Sequence, residues 1–115
     1  MSFILRMSGV IVGRSDLENR DANRRLATGV FRPGLGYDLV QPIFQLLETA
    51  EDDAEAMSRY RKSRDALRLQ LTDSSGSTLA VRELHIRRNG SAGAPMLEVA
   101  TDDPRFWSQS RSRDP

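Results

Sequence analysis

His85 is the one imidazole in this chain, and Lys62 is the one lysine among seventeen basic residues. A histidine titrates near neutrality, which is what a Ser-His-Asp relay needs and what a zinc site of the usual kind binds through. Any such chemistry here must route through His85, with Asp38 or Asp73 as the candidate acid. A small hydrolase or isomerase is the activity that arrangement implies. Strand alternation, however, sets His85 opposite Leu84 and Ile86, which predicts a solvent-facing ring and no site. Cysteine is absent, so disulfides, thiol nucleophiles and thiolate metal centres are excluded.

The remaining basic residues are all arginine, whose planar fork suits carboxylate, phosphate and aromatic partners. Arg24, Arg25 and Arg32 form one group, and Arg59, Arg61 and Arg64 a second. If the two groups share a face, these six residues would form an RNA- or polyanion-binding surface. Sixteen acidic residues and a net charge of only +1 argue for a solvated surface with internal ion pairs instead. The bias toward arginine is also what GC-rich codons produce.

Two further patterns invite chemistry and fail on spacing. Asp16, Glu18, Asp21 and Asn23 offer four oxygen ligands, but Arg20 stands where a calcium loop needs a ligand, and the required glycine is missing. Pro33-Gly34-Leu35-Gly36 lacks the spacing of either nucleotide fingerprint, and no lysine follows it. No cofactor and no metal are expected.

The elements that must hold these residues are short. Phe3 to Val12 reads as one strand with Gly9 as a bulge. Residues 13–25 read as a long loop, with capping-box spacing at Ser15 and Glu18. Leu26 to Arg32 is a second strand. Tyr37 to Glu48 fits both strand and helix, and its β-branched and aromatic residues favour strand. Acid before base across residues 52–66 predicts a helix. Leu67, Leu69 and Leu71 begin a three-strand meander with turns at Asp73 to Ser77 and Asn89 to Ala94. Its apolar phase changes at Arg82-Glu83, which predicts a bulge.

The expected fold is therefore α+β: a mainly antiparallel, curved sheet of five to six strands with one helix near residues 52–66. An all-β barrel or sandwich is the alternative. Residues 1–107 form one domain, and 108–115 a Ser/Arg-rich disordered tail. Neither a signal-peptide core nor a stretch of about 20 apolar residues is present, so no membrane is expected and a cytoplasmic location is. The leading functional expectation is a non-catalytic binding or assembly module that pairs with itself, with Tyr37, Phe106 and Trp107 at the contact. Polyanion binding through the arginines and catalysis at His85 follow it.

Overall fold

The computed structural model describes residues 2–88 and 95–111, with the backbone alone described for Arg88 and for 108–111. The chain is α+β. Strands β1 (Phe3–Met7), β2 (Val10–Ser15), β3 (Asn19–Asp21), β4 (Leu26–Val30) and β5 (Arg32–Pro33) come first. Helices α1 (Tyr37–Ala50) and α2 (Ala54–Ala66) follow. Strands β6 (Leu69–Thr72), β7 (Thr78–Leu79), β8 (Glu83–Arg88) and β9 (Pro95–Ala100) lead to helix α3 (Pro104–Arg111).

The strands divide between two antiparallel sheets, in orders β5-β2-β1-β6-β7 and β3-β4-β9-β8. Each inner row alternates, as a half-buried strand must. Phe3, Leu5, Val12 and Leu71 come from the first sheet, and Ala27, Leu84, Leu97 and Val99 from the second. They join Val40, Phe44 and Leu47 of α1, Tyr60 of α2, and Phe106 and Trp107 of α3 in one core. The core is thus shared by two sheets and three helices, where the sequence predicts one sheet and one helix. The helices also remove the all-β alternative.

The first apolar segment is a hairpin, not one strand. Ser8 and Gly9 turn the chain at φ +51° and +85°, the left-handed pair a tight antiparallel turn needs. The irregularity in the ladder lies between Leu5 and Arg6. Residues 13–25 are more ordered than a loop: β2 runs to Ser15, Leu17 is fully buried, and β3 follows. The capping-box pair nucleates no helix. Ser15 Oγ accepts the Leu17 N–H at 3.1 Å, and a Glu18 carboxylate oxygen accepts the Val30 N–H at 3.1 Å.

Tyr37 to Glu48 is helix, against its strand reading. Val40, Phe44 and Leu47 recur every three or four residues and are buried, and that burial outweighs local β-propensity. Pro42 sits inside the helix on the exposed side. The predicted 52–66 helix is present as α2, and Asp53 caps it by accepting the Glu55 and Ala56 N–H groups at 2.9 and 3.2 Å. The 73–77 turn also forms. Asp73 Oδ1 accepts the Ser75 and Ser77 N–H groups at 2.9 and 3.0 Å.

The phase change near Arg82 has a different cause from a bulge. β7 belongs to one sheet and β8 to the other, and residues 80–82 cross between them. The meander is therefore two hairpins, β6-β7 and β8-β9. The second predicted turn, Asn89 to Ala94, lies outside the described residues. The predicted tail is helical as far as Arg111, and 112–115 lie outside the described residues.

Candidate functional site

On β8, Glu83, His85 and Arg87 are two residues apart and so share a face. That face is opposite Leu84 and Ile86, as the sequence implies, but α2 covers it. His85 is only 7% exposed. Its Nδ1 lies 2.8 Å from the Tyr60 hydroxyl, and its Nε2 lies 3.2 Å from Glu83 Oε1. The rings of Tyr60 and His85 stack with centroids 5.6 Å apart. The solvent-facing expectation thus fails because a helix packs on that side of the strand.

The protonation states follow from burial. Burial pushes the Tyr60 hydroxyl up to about 12, so it stays protonated. Burial also lowers His85 below its ordinary 6.5, against the opposing charge of Glu83. The neutral ring therefore accepts the Tyr60 O–H at Nδ1 and donates its Nε2 proton to Glu83. Both ring nitrogens are spent within the fold, and neither is free to take a proton from a substrate.

Glu83 is the hub of the cluster. Burial would raise its carboxyl, but the Arg64 guanidinium bonds to it at 3.1 Å and holds it below its ordinary 4.5. Arg61 approaches its other oxygen at 3.4 Å. Arg64 is itself nearly buried. It reaches Asp65 Oδ1 at 3.0 Å and the Leu84 carbonyl at 3.4 Å, and its guanidinium lies 5.6 Å from the Tyr60 ring centroid. The neighbouring Arg87 bonds to Glu98 on β9 and to Glu51 at the end of α1.

This geometry carries a pH prediction. A depressed histidine pKa means the unfolded chain binds the proton first. His85 then contributes nothing adverse above about pH 6.5, and stability falls as pH drops below that value toward its folded pKa. Glu83 adds a second loss at lower pH, as its carboxylate protonates. Urea midpoints measured from neutral to mildly acidic pH should therefore decline, and His85→Gln should flatten the upper part of that slope. An identical slope in the variant would contradict the buried neutral ring.

A second polar cluster ties α3 to the crossing between the sheets. Asp103 accepts the Ala80 N–H at 2.9 Å and grips Arg105 through both oxygens, at 3.0 and 3.3 Å. The Arg105 guanidinium, and then the Ala80 N–H, hold its carboxyl well below the usual range. Arg105 Nη2 also donates to the Thr78 carbonyl at 2.6 Å. Trp107 Nε1 donates to the Thr101 carbonyl at 2.9 Å.

Between β7 and β8, where each sheet has its outer strand, opens a cleft of about 210 Å³. Arg64, Arg68, Arg82 and Gln70 line its polar side, with Asp65 and Glu83. Leu71, Leu79, Val81 and Leu84 form its apolar side.

The predicted arginine surface is largely consumed internally. Arg25 lies over the Trp107 ring at 5.5 Å, Arg32 pairs with Asp16 at 3.2 Å, and Arg59 pairs with Glu55 at 3.8 Å. Arg61 and Arg64 meet Glu83, and Arg24 is exposed in the turn after β3. The acids with calcium-like spacing are also engaged: Asp16 with Ser2 and Arg32, Asp21 with the Asn23 and Arg24 N–H groups. The acid beside His85 is Glu83. Asp38 lies in the first turn of α1, and Asp73 orders the β6-β7 turn. Phe106 and Trp107 are core residues, 0% and 5% exposed, and Tyr37 is half-buried against Phe31. The aromatic pair therefore fills the protein's own interior.

Among the described residues no helix is long and apolar enough to cross a membrane. No protein-family model, curated protein or solved structure matches this chain.

Proposed function

We propose that this chain is a non-catalytic assembly module that pairs with a second copy through its α1-α2 hairpin. The observation that carries the reading is where exposed apolar surface collects. Val10, Leu35, Leu39 and Leu46 are, with Val30, the large hydrophobic side chains left exposed among the described residues. Leu35 is 97% exposed and Leu39 63%. Leu39, Ile43 and Leu46 follow the four-then-three spacing of one helix face. Val10 abuts the start of that stripe, since its Cγ1 would lie 2.8 Å from a Cβ placed on Gly36. Contiguous exposed apolar surface of this kind marks contact sites.

Charge selects the occupant. From Tyr37 to Glu55 the acids are Asp38, Glu48, Glu51, Asp52, Asp53 and Glu55, and there is no base. Basic residues follow on α2, where Lys62 is exposed and Arg59 and Arg61, though they meet Glu55 and Glu83, remain half-open to solvent or more. A two-fold axis that lays α1 of one protomer on α2 of its partner sets acid against base twice and covers both leucine stripes. Like-with-like pairing of α1 would instead oppose acid to acid. Arginine in place of lysine also suits an interface.

Light scattering coupled to size exclusion tests this. The protein should elute as a dimer at tens of micromolar. Leu39→Glu should yield a folded monomer, because the side chain is mostly exposed in the isolated fold. A wild-type monomer at high micromolar concentration would overturn the reading. Salt-dependent binding to short RNA by that monomer would favour the arginine-surface alternative.

A further inference from the structure

We propose that the cleft between β7 and β8 binds a small amphipathic anion, a carboxylate or phosphate monoester on a short apolar body, with Arg68 recognising the head group. The inference does not depend on self-association.

Arg68 stands just after the α2 C-cap at φ +53°, a left-handed position usually given to glycine. Its N–H bonds to the Asp65 carbonyl at 3.1 Å, which fixes the backbone there. Any non-glycine residue is strained at that angle. Among the described residues its guanidinium has no hydrogen bond or ion pair, although it lines the cleft. The other charges around the cleft are matched. Asp65 and Glu83 both bond to Arg64, and Arg82 pairs with Asp102 at 2.7 Å. Arg68 is therefore the uncompensated charge.

The apolar lining residues supply the other half of the recognition. Leu71, Leu79 and Leu84 are buried, and Val81 half-buried, beside a space with room for a short chain. An added peptide strand fits less well. The backbone along this edge is already bonded by side chains: the Thr78 carbonyl by Arg105, Ala80 by Asp103 and Thr101, and the Leu84 carbonyl by Arg64. A strand needs those groups free, whereas a small anion needs only the guanidinium and the apolar wall.

Hexanoate and hexyl phosphate are suitable probes, with hexanol as the uncharged control. Both anions titrated into ¹⁵N-labelled protein should shift the Gln70 and Val81 amides saturably, and the tighter of the two identifies the head group. Hexanol should bind at least about tenfold more weakly, the loss of one charge-assisted bond. Arg68→Gly should raise the melting temperature by relieving the strain, yet weaken the anions at least about tenfold. Arg68→Gln keeps the strained backbone and removes the charge, and should lose the same binding. Absence of shifts with both anions, unchanged affinity in Arg68→Gly, or hexanol binding as tightly as hexanoate would each overturn the proposal.

Discussion

Arg64→Ala should lower the unfolding free energy by about 3 kcal/mol, because it strands a half-buried carboxylate. Arg64 has only 8% of its side chain exposed, and it serves Glu83, Asp65 and the Leu84 carbonyl together. Deleting it leaves Glu83 beside His85 with only the exposed Arg61 as a cationic partner. The charge of Glu83 would then be underpaired, and the Leu84 carbonyl would lose its donor. Adding Glu83→Gln to the same chain should recover part of the loss, since a neutral amide tolerates the site better. A denaturant midpoint that falls with an unchanged slope is the readout. A loss below about 1 kcal/mol would mean the cluster behaves like a surface ion pair.

Trp107→Ala should cost about 3–5 kcal/mol, as large-to-small changes in a packed core do. The indole meets Phe106 edge-on at 4.8 Å, donates to the Thr101 carbonyl and carries Arg25 across its face. Its loss opens a cavity where α3 closes the core and frees a buried acceptor. The variant should nonetheless keep its dimeric mass wherever it is folded. Dissociation without a loss of stability would return Trp107 to the contact, where its position near the chain end first suggests it.

The contrast between Trp107 and Leu39 shows what this sequence discloses. An aromatic pair following Asp-Asp-Pro looks available, but nothing local states that α3 folds back over Phe3 at 5.2 Å. Leu39 carries no local mark of either kind. Its exposure emerges only once Val40, Phe44 and Leu47 have claimed the inner side of α1. Helix α2 was legible because its charge order acts locally. Helix α1 was legible only as one of two fits, since what buries Val40, Phe44 and Leu47 is packing against α2, β2 and β8.

His85 follows the same logic. Strand alternation assigns its face correctly, and Glu83 and Arg87 share that face by their spacing of two. Tyr60 and Arg64, four apart on α2, form the matching pair. What the sequence lacks is the docking of α2 on β8, a tertiary event between residues about twenty positions apart. The phase change at Arg82 is visible in sequence, but its meaning, a change of sheet, depends on which strands pair. The arginine bias acquires a partial physical account: Arg20 lies 4.7 Å from the Phe106 ring centroid, and Arg105 grips Asp103 with two nitrogens. A lysine ammonium supplies neither a planar stack nor a fork.

Self-association through oppositely charged helices is tested most directly by a charge exchange read as molar mass. Asp38→Lys alone should weaken the dimer, because exposed Asp38 adjoins Leu39 in the first turn of α1 and the exchange sets base against base where α1 meets the partner's α2. Lys62→Glu alone should weaken it by opposing acid to acid. Combined in one chain, the two exchanges restore an acid-base match across the two-fold axis. Light scattering at tens of micromolar and low salt should show two variants shifted toward monomer and a double variant returned to dimer. A double variant as dissociated as the singles, or singles that stay fully dimeric, would contradict the α1-on-α2 arrangement.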